Sequence, residues 1–144
     1  MSDIIKTVLL LALPASGKSE TRRYMEMLTP DQCVNDMKMG PTLQLDDYPY
    51  VHFMHRIDDE LKKRGGEYIF YKGAERPFQD PFTWGCLVEL LNADYEDLMA
   101  SKLIEVPSAA QWLFDRIDDA RAKVNQERML EKIPYGVRLS LIHI

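Results

Sequence analysis

Cysteine is scarce in this chain. Cys33 and Cys86 are the only two in 144 residues, and they form neither a CxxC pair nor a metal-spaced pattern, so they read as small hydrophobes with no assigned role. Long apolar runs are also missing. Nothing reaches the roughly 20 residues of a membrane-spanning helix, and the amino-terminal apolar stretch, preceded by Asp3 and Lys6, does not have the form of a signal peptide. A cytoplasmic protein without membrane partners is expected. Positive charge is outnumbered: 18 Lys and Arg against 23 Asp and Glu give a net charge of −5, which argues against general nucleic-acid or membrane-surface binding. A low-complexity linker is lacking too, so residues 1–138 read as one domain.

What is present is concentrated in Thr7 to Glu20, TVLLLALPASGKSE. The unbroken apolar run Val8 to Leu11 has the pattern of a strand buried on both faces. It feeds into Ala12-Leu13-Pro14-Ala15-Ser16-Gly17-Lys18-Ser19, a phosphate-binding loop followed by a helix. Gly17 lets the backbone turn its N–H groups onto an anion, Lys18 places a point charge between β- and γ-phosphates, and Ser19 offers a hydroxyl to Mg²⁺. The helix adds its positive end. These residues resemble the P-loop NTPase superfamily, with Ala12 where the commonest form has glycine. The resemblance implies ATP or another nucleoside triphosphate with Mg²⁺, held by Ala12, Pro14, Ala15, Ser16, Gly17, Lys18, Ser19 and Glu20.

A second feature is Asp46-Asp47, delivered by the β-prone stretch Thr42 to Leu45 and followed by a helix that Pro49 starts. In open α/β sheets ligands bind beyond the carboxyl ends of strands, so a strand-end acid near a phosphate loop faces the reacting phosphoryl group. Leu45-Asp46-Asp47-Tyr48-Pro49-Tyr50 resembles the corresponding segment of P-loop small-molecule kinases, uridine and nicotinamide riboside kinases being the nearest comparison. The resemblance places Asp46 as the base that accepts the substrate hydroxyl proton and Asp47 as a second polar group at the metal. Pro49-Tyr50 departs from that pattern, so substrate contacts do not carry over. Helix capping is the competing role for the pair, with Asp47 as the cap. The implied function is Mg-ATP binding with γ-phosphoryl transfer to a small hydroxyl-bearing molecule, Lys18 and Asp46 being catalytic and Ser19 and Asp47 at the metal. The alternative is a nucleotide-dependent switch or regulatory ATPase without a small substrate.

Helices are expected over Gly17 to Leu28, Pro30 to Lys38, Tyr50 to Arg64, Phe82 to Leu103 and Ser108 to Met129, with Thr29, Asp80 and Ser108 as caps. The last two helices form a hairpin over 82–129. Glu67 to Tyr71 (EYIFY) reads as a third strand. The expected fold is α/β, a three-layer αβα arrangement around a parallel sheet with only three strands present. Strand three ends without a carboxylate, so the second Mg²⁺-holding acid of such enzymes lies further on or is supplied by Asp46 or Asp47.

Weaker candidates surround these. Lys72, Arg76, Arg22 and Arg23 are within reach of phosphate if their segments fold over the nucleotide, although outer charges are usually just solvated. His52 and His55 share a helix face but lack a third ligand. Tyr48, Tyr50, Phe78 and Arg76 are the expected wall of a substrate pocket, or else close the small core. Trp84, Trp112 and Tyr95 read as core. Arg56-Ile57-Asp58-Asp59 recurs as Arg116-Ile117-Asp118-Asp119, without flanking similarity and hence as no repeat. The final Leu139 to Ile144, LSLIHI, is an in-frame translation of the transposase end attached to fragments in some sequencing libraries. The expectation is that 139–144 is an artefact and that the natural chain continues after about Arg138; a short apolar strand is the alternative.

Overall fold

The computed structural model describes residues 4, 5, 8, 16–40, 44–74 and 76–142. They fall into two compact units, Met1–Gln44 and Leu45–Ile144. The described residues form six α-helices and one 3-10 turn. Among the described residues the expected parallel sheet is not there: they are 63% helix and 3% strand, too little to build the middle layer of an αβα fold. Extended pairing among the described residues is confined to two isolated bridges, Ile5 with Met39 (parallel) and Tyr71 with Phe78 (antiparallel).

The third strand fails for a reason that can be traced atom by atom. A strand needs its N–H groups for a neighbouring strand. Here Ile69, Phe70 and Tyr71 donate theirs to the buried carboxylate of Asp58, at 2.7, 3.0 and 2.9 Å. Burial pushes that carboxyl above its ordinary range while the three donors pull it back. The aromatic content of EYIFY therefore serves burial, with Phe70 and Tyr71 in the core, and no ladder forms. The first two expected strands lie largely outside the described residues; Val8, Gln44 and Leu45 take no regular structure.

Unit one contains α1 (Lys18–Met27) and α2 (Pro30–Met37). Thr29 starts α2 as its residue types dictate, its hydroxyl accepting from the Gln32 N–H while the Gln32 side chain accepts from the Thr29 N–H. The apolar residues Tyr24 and Met27 of α1 are not buried, being 51% and 76% exposed.

Unit two contains α3 (Tyr48–Lys63), α4 (Pro81–Met99), α5 (Ala109–Lys123), the 3-10 turn Met129–Glu131 and α6 (Tyr135–Ile142). Asp80 and Ser108 cap α4 and α5 by accepting from the Thr83 and Gln111 N–H groups. The expected hairpin of α4 on α5 is present, but both helices stop early. Ser101 and Asn125 adopt left-handed backbone (φ 50 and 58), which ends the helices short of the expected Leu103 and Met129.

The core joins Met54, Ile57 and Leu61 of α3, Cys86, Leu87 and Leu90 of α4, Phe114 and Ile117 of α5, and Val137 and Leu141 of α6. On α4 the buried face is Thr83, Cys86, Leu87 and Leu90, so Tyr95, expected in the core, is exposed, as is Leu98. Leu139 to Ile142 are helical rather than extended, and His143 lies outside the described residues.

Cys86 is 1% exposed, and burial pushes its thiol up to about 11, whereas Cys33 is only partly buried. Thiolate is the reactive species. A disulfide reagent at pH 8 should therefore titrate Cys33 promptly and Cys86 at least about 100-fold more slowly, the second thiol appearing on unfolding in urea. Equal rates for the two thiols in the native protein would contradict this packing.

Candidate functional site

The described part of the expected phosphate loop, Ser16 to Glu20, lies in unit one at the start of α1. Gly17 holds φ 89, ψ 12, a left-handed conformation that favours glycine over residues with a Cβ, and an ideal Cβ there would meet nothing within 4 Å. Backbone geometry, rather than crowding, explains the glycine. Among the described residues no side chain caps α1, unlike α2, α4 and α5. The first-turn N–H groups and the positive end of the helix macrodipole therefore stand where an anion is stabilised. Ser16, Gly17, Lys18, Ser19 and Glu20 line a hollow of about 270 Å³. Ala12, Pro14 and Ala15 lie outside the described residues.

The donor set fits a Mg-bound polyphosphate. Lys18 brings a cationic head and Ser19 a hydroxyl suited to an oxygen-seeking cation such as Mg²⁺. The neighbouring arginines are engaged with acids of their own helix: Arg22 pairs with Glu26 at 2.8 Å and Arg23 with Glu20 at 3.0 Å. Glu20, expected at the cofactor, is thus half of a surface ion pair. Both pairs are well exposed and hold little energy.

Asp46 and Asp47 stand at the start of α3 in unit two, with their capping roles reversed from expectation. Asp47 occupies the position before the helix but makes no side-chain capping bond, whereas Asp46 Oδ1 accepts from the Tyr48 N–H at 3.0 Å. The residue expected to act as base is the one whose carboxylate holds the helix start.

The expected aromatic wall is not assembled. Tyr50 is 3% exposed and donates its phenol to Asp94 at 2.6 Å, while Arg116 donates to both, at 3.2 Å to Tyr50 and 2.8 Å to Asp94. Burial and the Asp94 acceptor raise the Tyr50 phenol well above its ordinary value. Arg116 also pairs with Asp97 at 2.8 Å and lies over the Trp112 ring. Asp94 and Asp97 thus tie α4 to α5. Tyr48 is exposed and stacks on His52, while His55 stacks on Tyr71 at 3.7 Å. These stacks account for both histidines; among the described residues no metal-holding cluster of His, Cys, Asp or Glu occurs.

Phe78 packs against the core and Trp84, 60% exposed, meets it edge-on. Lys72 and Arg76 are exposed on the loop that the Tyr71–Phe78 bridge closes, where the Lys72 N–H donates to the Pro77 carbonyl. The networks around Asp58 and Arg116 escaped the sequence reading because their partners are distant or are backbone groups. Among the described residues no helix is long and apolar enough to cross a membrane. No protein-family model, curated protein or solved structure matches the chain.

Proposed function

We propose that the chain binds a Mg-nucleoside triphosphate through the loop ending in Ser16-Gly17-Lys18-Ser19, and that it transfers the γ-phosphoryl group to a small hydroxyl-bearing molecule. The observation that carries the first part is a left-handed glycine opening an uncapped helix directly before Lys18 and Ser19. Bound Mg²⁺ would supply charge neutralisation across the β- and γ-phosphates. Lys18 holds the phosphates, Ser19 holds the metal, and the first-turn N–H groups of α1 orient the anion. Phosphoryl transfer needs mainly positioning and charge stabilisation, with an acid to take the hydroxyl proton, the role given to Asp46. This reading rests on the loop and not on a sheet.

Titration calorimetry of the whole chain with Mg-ATP tests it. Lys18→Ala should weaken binding about 10- to 100-fold, because a charge-assisted contact to phosphate is lost and the residue has no part in the core. Unchanged affinity in Lys18→Ala, or no heat in the unaltered protein at millimolar Mg-ATP, would sink the proposal.

A further inference from the structure

The tetrapeptide Arg-Ile-Asp-Asp at 56–59 and 116–119 is too short to mean anything as sequence. In the structure its two copies occupy the same place in two helices. Ile57 and Ile117 are fully buried, as are Asp58 and Asp118. The helices end at Lys63 and Lys123 and are closed by the same three bonds. Arg64 and Val124 donate to the carbonyls of Leu61 and Arg121, Gly65 and Asn125 to those of Lys62 and Ala122, and Gly66 and Gln126 again to Leu61 and Arg121. Gly65 and Asn125 share the left-handed backbone, φ 79 and 58. Asp58 then accepts from Ile69, Phe70 and Tyr71, and Asp118 from Met129 and Leu130, at 2.6 and 3.2 Å. These pairs keep the sixty-residue offset of the tetrapeptide, the Tyr71 bond alone having no counterpart, although Arg64-Gly65-Gly66 and Val124-Asn125-Gln126 share no residue.

Packing follows the same exchange. Helix α3 packs on α6, and α5 on α4. A Cβ added at Gly136 of α6 would stand 3.1 Å from the Arg64 guanidinium, and one at Gly85 of α4 would stand 3.1 Å from a Val124 methyl. Arg64 and Val124 are equivalent positions, and each meets a glycine on the second helix of the other half. A chance tetrapeptide has no reason to bring matching helix ends, matching carboxylate clamps and reciprocal glycine contacts with it.

We infer that 48–99 and 109–142 are two copies of one helix–loop–helix unit, interlocked about an approximate twofold axis, with each loop fastened by its own buried aspartate and released on its own. The clamp is a conformational device: a carboxylate offers several acceptor sites to N–H groups that no strand partners. Its loss opens the segment after the helix without dissolving the helix pair, since the core contacts of Ile57 and Ile117 remain.

Amide hydrogen exchange by NMR on the whole chain tests this. In the unaltered protein the N–H groups of residues 69–71, 129 and 130, which belong to no α-helix, should be protected like helix-core amides. Asp58→Asn keeps shape but loses acceptor capacity. It should speed exchange at 69–71 about tenfold or more and change 129 and 130 by less than about twofold; Asp118→Asn should do the reverse. Both loops accelerating together in either variant would overturn the inference, as would an ineffective variant. If a variant does not fold, the unaltered protein still decides: unprotected amides at these positions refute the clamps.

Discussion

Phe114→Ala is expected to lower the unfolding free energy by about 3–5 kcal/mol, the cost of emptying a fully buried aromatic site. Phe114 is 0% exposed and meets Phe53 edge-on with ring centroids 5.0 Å apart, so α5 and α3 are joined at this point. The lost methylene and ring contacts leave a cavity, and an edge-on aromatic pair adds its own share. Against a whole-protein stability of about 5–15 kcal/mol, this removes about a fifth or more. Trp84→Ala is the control. That larger ring is mostly exposed and touches Phe78 edge-on, so its loss should cost about 1 kcal/mol at most. Urea unfolding followed by circular dichroism reads both, as a shift in midpoint with the slope unchanged. Similar midpoints for the two variants would mean that the core does not lie where α3 and α5 cross.

Helix starts in this chain are legible because their chemistry is local. Thr29, Asp80 and Ser108 each bind an N–H three residues ahead, and the residue types alone announce it. Helix ends are less legible: Ser101 and Asn125 take the left-handed turn without being glycine, so the apolar pattern appeared to run on. The sheet was misread because EYIFY has strand composition, while the acceptor for its N–H groups, Asp58, stands 11 to 13 residues earlier on a helix. Composition reports how a segment is buried and not which atom receives its N–H groups. The Tyr50, Asp94 and Arg116 network was invisible for a related reason, its members being 44 and 66 residues apart. Nothing in its local sequence sets Asp94 apart from a surface charge; its partner is a cation on another helix. Of the candidate site, the expectation for Ser16 to Glu20 could be drawn from the sequence because a phosphate loop is defined by consecutive residues. The division of labour between Asp46 and Asp47 could not: the sequence did not tell which of them binds an N–H at the start of α3, since the two adjacent carboxylates are chemically alike.

That division makes the sharpest functional test available. Asp46→Asn should reduce phosphoryl-transfer turnover by about 10²–10⁴-fold while leaving ATP affinity within about twofold, if Asp46 takes the proton of the acceptor hydroxyl. The substitution separates two roles that alanine would confuse. Asp46 Oδ1 accepts from the Tyr48 N–H, and asparagine is as good a cap as aspartate, so α3 keeps its start. What asparagine cannot do is accept a proton near neutral pH. Asp46→Ala, which loses both roles, should in addition lower stability by about 1 kcal/mol, and Asp47→Ala should not, because Asp47 makes no capping bond. Turnover is measured as ATP consumption across a panel of small hydroxyl-bearing metabolites, and stability by thermal unfolding of the same samples. Turnover in Asp46→Asn within about threefold of the unaltered protein would remove Asp46 as the base and leave it as a cap. Should no metabolite stimulate ATP consumption while Mg-ATP still binds in a Lys18-dependent manner, phosphoryl transfer to a small molecule is the wrong reading and a nucleotide-driven switch the right one.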